Sequence, residues 1–412
     1  MTHRLQGFAQ RALPVLFVWL LFVIPFSISA IEVTFPFLLL AWLLGEKAPT
    51  GSVERRAFLA LLVYVAICTL SVTYSKFPKL SLTGLIGKNY EYALMFLIAA
   101  HASKKEWVGR QGIRAIQCTA WLVVLHAFLQ EWVLYRAPYK PMVPDPITGV
   151  TLDYVRMVGP YKNPNDLATY LMVSSLILVG WIIHSANRIR FHQLLLSSLL
   201  LGCLIWIHSR GALMGFAVGT VFLFYLHKDR KQVQLALGLT VLTAIGFSCF
   251  LSRSNLKQLL TLRDIGSVDR GIMWSTALSM IRAKPILGHG INTFMANYDT
   301  YVLDHRQWPA YAHNCYLQIM AETGLIGLTA FLWFLFAVGS ASWRALHAGT
   351  RQPAPRQQDL QALLAGLIAG LCAFLVQSAL DTNLYALRQA VLFWILSGMA
   401  LGISSQLSRD AS

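Results

Sequence analysis

Apolar runs long enough to cross a membrane recur along this chain from end to end, with no polar block between them large enough for a water-soluble domain. A bilayer core of about 30 Å needs about 20 such residues per helix, and fewer where a segment is tilted or sheltered by protein. In hydrocarbon every backbone N–H and C=O must be bonded internally, so runs of this length fold as helices. Composition agrees. Of the 412 residues, 56% are hydrophobic and 13% charged, against about 25% charged in soluble proteins. An ordinary soluble enzyme and a long disordered region are both excluded. The expected fold is an all-α polytopic integral membrane protein, one membrane domain over residues 1–412.

The runs predict about twelve spans, at 13–30, 32–44, 57–72, 90–102, 113–135, 166–183, 191–206, 211–226, 234–250, 315–339, 360–380 and 387–404. The first reads as an uncleaved helix rather than a signal peptide, because another apolar run follows it at once. Lys and Arg in short connections mark the cytoplasmic side. Arg4 and Arg11, then Arg55 and Arg56, Lys104 and Lys105, Arg188 and Arg190, Lys228 and Arg230, and Arg351 and Arg356 fall in alternate connections. Both termini are therefore expected in the cytoplasm. Two long segments then fall on the external face, 136–165 and 251–314. The second includes an amphipathic stretch at 269–283, where Ile272, Met273, Leu278, Met280 and Ile281 can bury one face before Pro285 and Gly288 stop the helix.

The six cysteines form no C-x-x-C pair, and neither H-E-x-x-H nor D-x-D occurs. They read as packing residues, and no metal site or cofactor is expected. The net charge of +16 leaves basic residues on the external face as well. With the orientation above, even-numbered helices start outside, and cations cluster at those positive dipole ends: Lys88, Lys162, Arg210, His313 and Arg388. Such cations repel the helix end unless an anion lies between them, and exposed N–H groups would bind the same anion. A phosphorylated ligand fits. The plainer alternative is snorkelling to lipid phosphates.

Three short motifs stand out. In Arg156-Met-Val-Gly-Pro-Tyr161-Lys162-Asn163-Pro164-Asn165, an Asn can cap the next helix and Pro164 suits its first turn, which leaves Arg156, Tyr161 and Lys162 unexplained by capping. Ser209-Arg210-Gly211 is a turn that can barely leave the membrane, and an arginine at that depth is costly unless paired with an acid such as Asp153 or Asp381, or with an anionic substrate. His313-Asn314 opens an apolar run that carries Glu322, Gly324 and Gly327, and a neutral imidazole there is available as a general base.

His313-Asn314, nine residues, Gly324, two residues and Gly327 resemble the H-[NSQ]-x9-G-x-x-[GTY] pattern of the O-antigen ligase superfamily, which includes O-antigen polymerases and protein O-oligosaccharyltransferases. Gly159 to Asn165, Ser209-Arg210-Gly211, Arg270 with Trp274, and Pro285-Ile-Leu-Gly-His-Gly290 follow in the order of those proteins. The resemblance implies a glycosyltransferase C-like membrane fold in a Gram-negative inner membrane, with a large periplasmic loop between helices 9 and 10. It also implies transfer of a glycan from undecaprenyl diphosphate to a sugar hydroxyl of lipid A-core. In that reading His313 and Arg210 are catalytic, and Lys88, Arg156, Tyr161, Lys162, Asn163, Arg270, Asn314 and Arg388 bind substrate. The mechanism implied is inverting and metal-independent. The partners are the lipid-linked glycan, the lipid A-core acceptor and membrane lipids, with no nucleic acid. The alternatives within the superfamily are an O-antigen polymerase, which shares donor and chemistry, and a protein O-oligosaccharyltransferase. A flippase for an anionic lipid is the alternative of another class, but it should show paired half-sequences, and none is visible.

Overall fold

The computed structural model describes residues 2–45, 51–105, 107–132, 157–185, 191–207, 209–226, 238, 265–302, 311–348 and 354–410. Among them all regular structure is helical. The helices are α1 (Thr2–Val23), α2 (Ile28–Leu44), α3 (Ser52–Ser71), α4 (Pro78–Gly84), α5 (Glu91–Ala102), α6 (Ile113–Trp132), α7 (Pro164–His184), α8 (Phe191–Ile207), α9 (Arg210–Leu226), α10 (Ile265–Ala283), α11 (Phe294–Tyr301), α12 (Cys315–His347), α13 (Pro355–Ser378) and α14 (Leu387–Asp410). Wide π turns join α4 to α5 (Leu85–Tyr90) and precede α6 (Val108–Gly112).

Among the described residues, six helices are long and apolar enough to cross a membrane: α1, α6, α7, α12, α13 and α14. Shorter apolar helices α2, α8 and α9 accompany them. The chain is a polytopic membrane protein. Its inside is built on α13, which packs on both α7 and α9, and on α14, which packs on α5 and α12. Lipid tails are as apolar as leucine, so helices in a bilayer associate through close packing, and small residues bring backbones together. A Cβ on Gly180 of α7 would stand 2.5 Å from the Cα of Gly366 in α13. Any larger side chain at either position would push these two helices apart. On the outside, Val15, Phe37, Leu62, Val221 and Phe336 are exposed, as lipid-facing side chains must be.

Several boundaries differ from the hydropathy reading. The segment expected to begin at residue 90 is helical from Pro78, and Lys88 lies inside the π turn instead of ahead of the helix. The polar pair Lys88-Asn89 interrupts the apolar pattern, but the wide turn accommodates it without ending the helix. The second span begins at Ile28, because Ser27 caps it by accepting from the Ala30 N–H at 3.1 Å. The tenth runs on to His347 and contains a break at Gly324. The stretch expected as an amphipathic helix, 269–283, is helical within α10; Met273, Met280 and Ile281 are buried, but Leu278 is exposed. The expected ninth span, 234–250, lies outside the described residues except for Gly238, as do 136–156, 251–264 and 303–310.

Candidate active site

The connection between α13 and α14, residues 379–386, packs against the start of α12. Cys315 Sγ donates to the Asp381 carbonyl at 3.2 Å and approaches Asn383 Oδ1 at 3.4 Å. Asn383 is fixed in turn by Ser378 Oγ at 2.7 Å. Asn314 caps α12, its side-chain oxygen accepting from the N–H groups of Tyr316 and Leu317 at 3.0 Å each. Directly before it, His313 adopts a left-handed backbone (φ 47°), uncommon for a residue with a side chain and typical of constrained functional positions. Its carbonyl accepts from Trp274 Nε1 of α10 at 3.5 Å. Its imidazole Nδ1 lies 3.5 Å from Asp381 Oδ1, within ion-pair range but outside hydrogen-bond geometry. The imidazole is 34% exposed and the carboxylate 15%, so a substrate can reach the ring while Asp381 stays behind it.

Lys162, Arg210 and Arg388 stand at or just before the starts of α7, α9 and α14. Arg210 is the first residue of α9 and is exposed, and the neighbouring Gly211 faces Gln377 and Leu380, next to Asp381 in sequence. Arg270 lies in α10 one turn before Trp274, hence on the same helix face as the residue that touches His313. Lys162 and Asn163 are exposed. Asn163 caps α7 by accepting from the Asn165 N–H at 2.8 Å, so the expected cap is present and its oxygen is committed to it.

Arg388, expected to bind substrate, is held by protein groups at the start of α14. Its Nη1 donates to the carbonyls of Pro25 at 2.8 Å and Pro160 at 3.0 Å, and its guanidinium lies 4.2 Å from the Tyr161 ring centroid. It brackets the α1–α2 turn to the turn before α7, and Tyr161 is buried beneath it. Burial pushes the Tyr161 phenol well above its ordinary range, against the opposing pull of Arg388, so the ring stays protonated. Lys88 donates to Asn292 Oδ1 at 3.1 Å. Arg156 lies outside the described residues.

Residues 285–293 form a plug beside the break in α12. The N–H groups of His289 and Gly290 donate to the carbonyls of Ala321 (3.0 Å) and Glu322 (2.8 Å), and Leu325 N–H donates back to Pro285 (2.8 Å). These bonds satisfy backbone groups that the break removes from the helix. His289 is buried, with Nε2 3.0 Å from the Met280 carbonyl, and burial lowers its pKa. Its ring is a neutral fastening. Among the described residues, no group of three His, Cys, Asp or Glu side chains is arranged to hold a metal ion.

Two groups were missed by the sequence reading. Sequence alone offers Asp381 only as a partner for Arg210 and gives Glu322 no role. An acid inside an apolar run is costly to bury without partners, and that was the available signal for Glu322.

Comparison with known proteins supplies an independent line. Residues 195–332 match the O-antigen ligase family, a region that holds Arg210, Arg270, His313, Asn314 and the Gly324 break. An O-antigen ligase of Pseudomonas aeruginosa is 26% identical over 315 residues, 76% of this chain and 70% of its own length. A Rickettsia conorii protein named as a candidate polysaccharide ligase is 28% identical over 171 residues, 38% of this chain and 41% of its own length. The motifs, the helical membrane architecture and these two relatives agree: the chain is a polytopic membrane protein similar to the O-antigen ligases.

Proposed function

We propose that this protein transfers an O-antigen glycan from undecaprenyl diphosphate to a sugar hydroxyl of lipid A-core, on the periplasmic face of a Gram-negative inner membrane. The observation that carries the reading is His313, held by the capped start of α12 with its Nδ1 edge toward Asp381 and its ring one-third exposed. In this mechanism the acceptor hydroxyl gives its proton to His313 Nε2 as its oxygen bonds the anomeric carbon. The bond from that carbon to the diphosphate breaks on the opposite side, which inverts the centre. Asp381, 3.5 Å from Nδ1, offsets the charge the ring gains. Arg210, with Lys162, Arg270 and Lys88, neutralises the departing diphosphate, and a planar guanidinium fork suits two phosphate oxygens. Arg156 belongs to the same proposed set. Arg388, Tyr161 and Asn163 act in this reading by shaping the turn that presents Lys162. Positive ends of α7, α9, α12 and α14 add to the field.

The test is reconstitution. Purified protein is mixed with polyprenyl-diphosphate-linked glycan and either core lipid A or further donor. Glycan joined to core lipid A is the expected product. Chain extension of the donor without product on the core would make the protein a polymerase and overturn the proposal.

A further inference from the structure

We propose that Glu322 is the positioning residue for the His313–Asp381 pair, governing both members through one buried carboxylate; this rests on the ligation reading above. Glu322 is 1% exposed. Its Oε2 accepts from Asn292 N at 2.9 Å and Tyr385 Oη at 3.4 Å, and its Oε1 from Phe294 N at 3.2 Å and Gln318 Nε2 at 3.3 Å. Four donors thus occupy the four acceptor sites that a carboxylate offers.

Each donor leads to a different part of the site. Gln318 passes the contact on, because its Oε1 accepts at 3.2 Å from the N–H of Ala312, the residue directly before His313. That bond also fixes which end of the Gln318 amide faces Glu322. Tyr385 belongs to the 379–386 connection and stands four residues beyond Asp381, so its hydroxyl anchors the far end of the segment that carries the acid. Asn292 accepts from Lys88, which ties one of the cations to the same point. Phe294 N–H is at the start of α11, where a carboxylate is favoured. Cys315 holds Asp381 from one side, and Glu322 sets the separation between that segment and the residues leading into His313.

Glu322→Gln separates this role from space filling. It keeps the shape, but it has one acceptor oxygen and turns an NH2 group toward two of the donors. A reacting pair displaced by about 1 Å loses about 10²-fold in rate. For folded E322Q the expected result is kcat lowered about 10²-fold with the donor KM within about threefold of wild type. The second readout does not depend on transfer. In protein labelled at histidine, the His313 imidazole, identified by its absence in His313→Ala, is titrated by NMR. Its titration is expected to move in E322Q. If E322Q does not fold, Tyr385→Phe removes a single donor and is expected to show both effects in smaller measure. Superimposable His313 titrations in the variant and wild type would overturn the proposal, as would a fall in kcat no larger than the loss of folded protein. Wild type that makes no product on core lipid A would fail the ligation reading alone, since the titration still decides the role of Glu322.

Discussion

Alanine at Gly324 and at Gly339, two glycines of the same helix, should have opposite consequences. Gly324 sits at φ 68° and ψ −172°, a backbone conformation essentially confined to glycine, and holding another residue there costs about 1–3 kcal/mol. A Cβ at this position would also fall onto the Ile286 carbonyl and within 2.6 Å of the Leu287 nitrogen. Both are backbone atoms of the plug, which is tied to α12 by the bonds at Ala321, Glu322 and Pro285 and cannot swing aside. Overpacking of this kind adds about 1–3 kcal/mol. Gly324→Ala is therefore expected to cost about 2–6 kcal/mol in total, and to release residues 285–293 from α12. At Gly339 nothing lies within 4 Å of an added Cβ, so Gly339→Ala should be neutral or gain up to about 1 kcal/mol from helix propensity. Unfolding midpoints of the two variants in lipid nanodiscs, with limited proteolysis at 285–293, read the difference. Equal midpoints and equal protection would refute the assignment of Gly324 as an obligatory break.

Arg388→Ala leaves the Pro25 and Pro160 carbonyls without their charged donor and uncovers Tyr161; at about 1.5–3 kcal/mol per hydrogen bond to a charged group, the unfolding midpoint should fall clearly, while Arg388→Lys should recover only part of it. A cysteine placed at Gln307 in a cysteine-free background should be labelled from the periplasmic side and one at Gln352 should not; the reverse pattern would invert the proposed topology. Transfer should survive a strong chelator, since the proposed leaving group is neutralised by arginine and lysine; loss restored by added magnesium or manganese would sink that part of the mechanism.

Among the described residues, helix existence and the cations at helix starts are legible in the sequence because both are local signals. Hydropathy marks a span, and Asn314 or Asn163 before an apolar run marks its start. The starts of α7, α9, α12 and α14 share the end that alternating spans require, because Gln389 of α14 donates to the Asp166 carbonyl of α7 and Gly211 of α9 meets the close of α13. What sequence could not supply was which distant groups meet. Asp381 is 68 residues from His313, and nothing in either neighbourhood names the other. The same holds for Arg388, whose partners lie at Pro25 and Pro160. A cation at a helix start looks alike whether it will meet a ligand or two carbonyls, and only packing decides. Gly324 was visible as a motif residue, but its backbone break follows from contact with a loop some forty residues earlier.

The most direct test of the central claim is single-turnover transfer by His313→Ala beside Arg210→Lys, with donor binding measured on the same samples. If His313 takes the acceptor proton, His313→Ala binds the lipid-linked glycan as wild type does and transfers it about 10²–10⁴-fold more slowly. Arg210→Lys, which keeps the charge but not the fork, is expected to lose both donor affinity and rate. Folded His313→Ala that transfers glycan at the wild-type rate would contradict the account, because another group would then have to activate the acceptor.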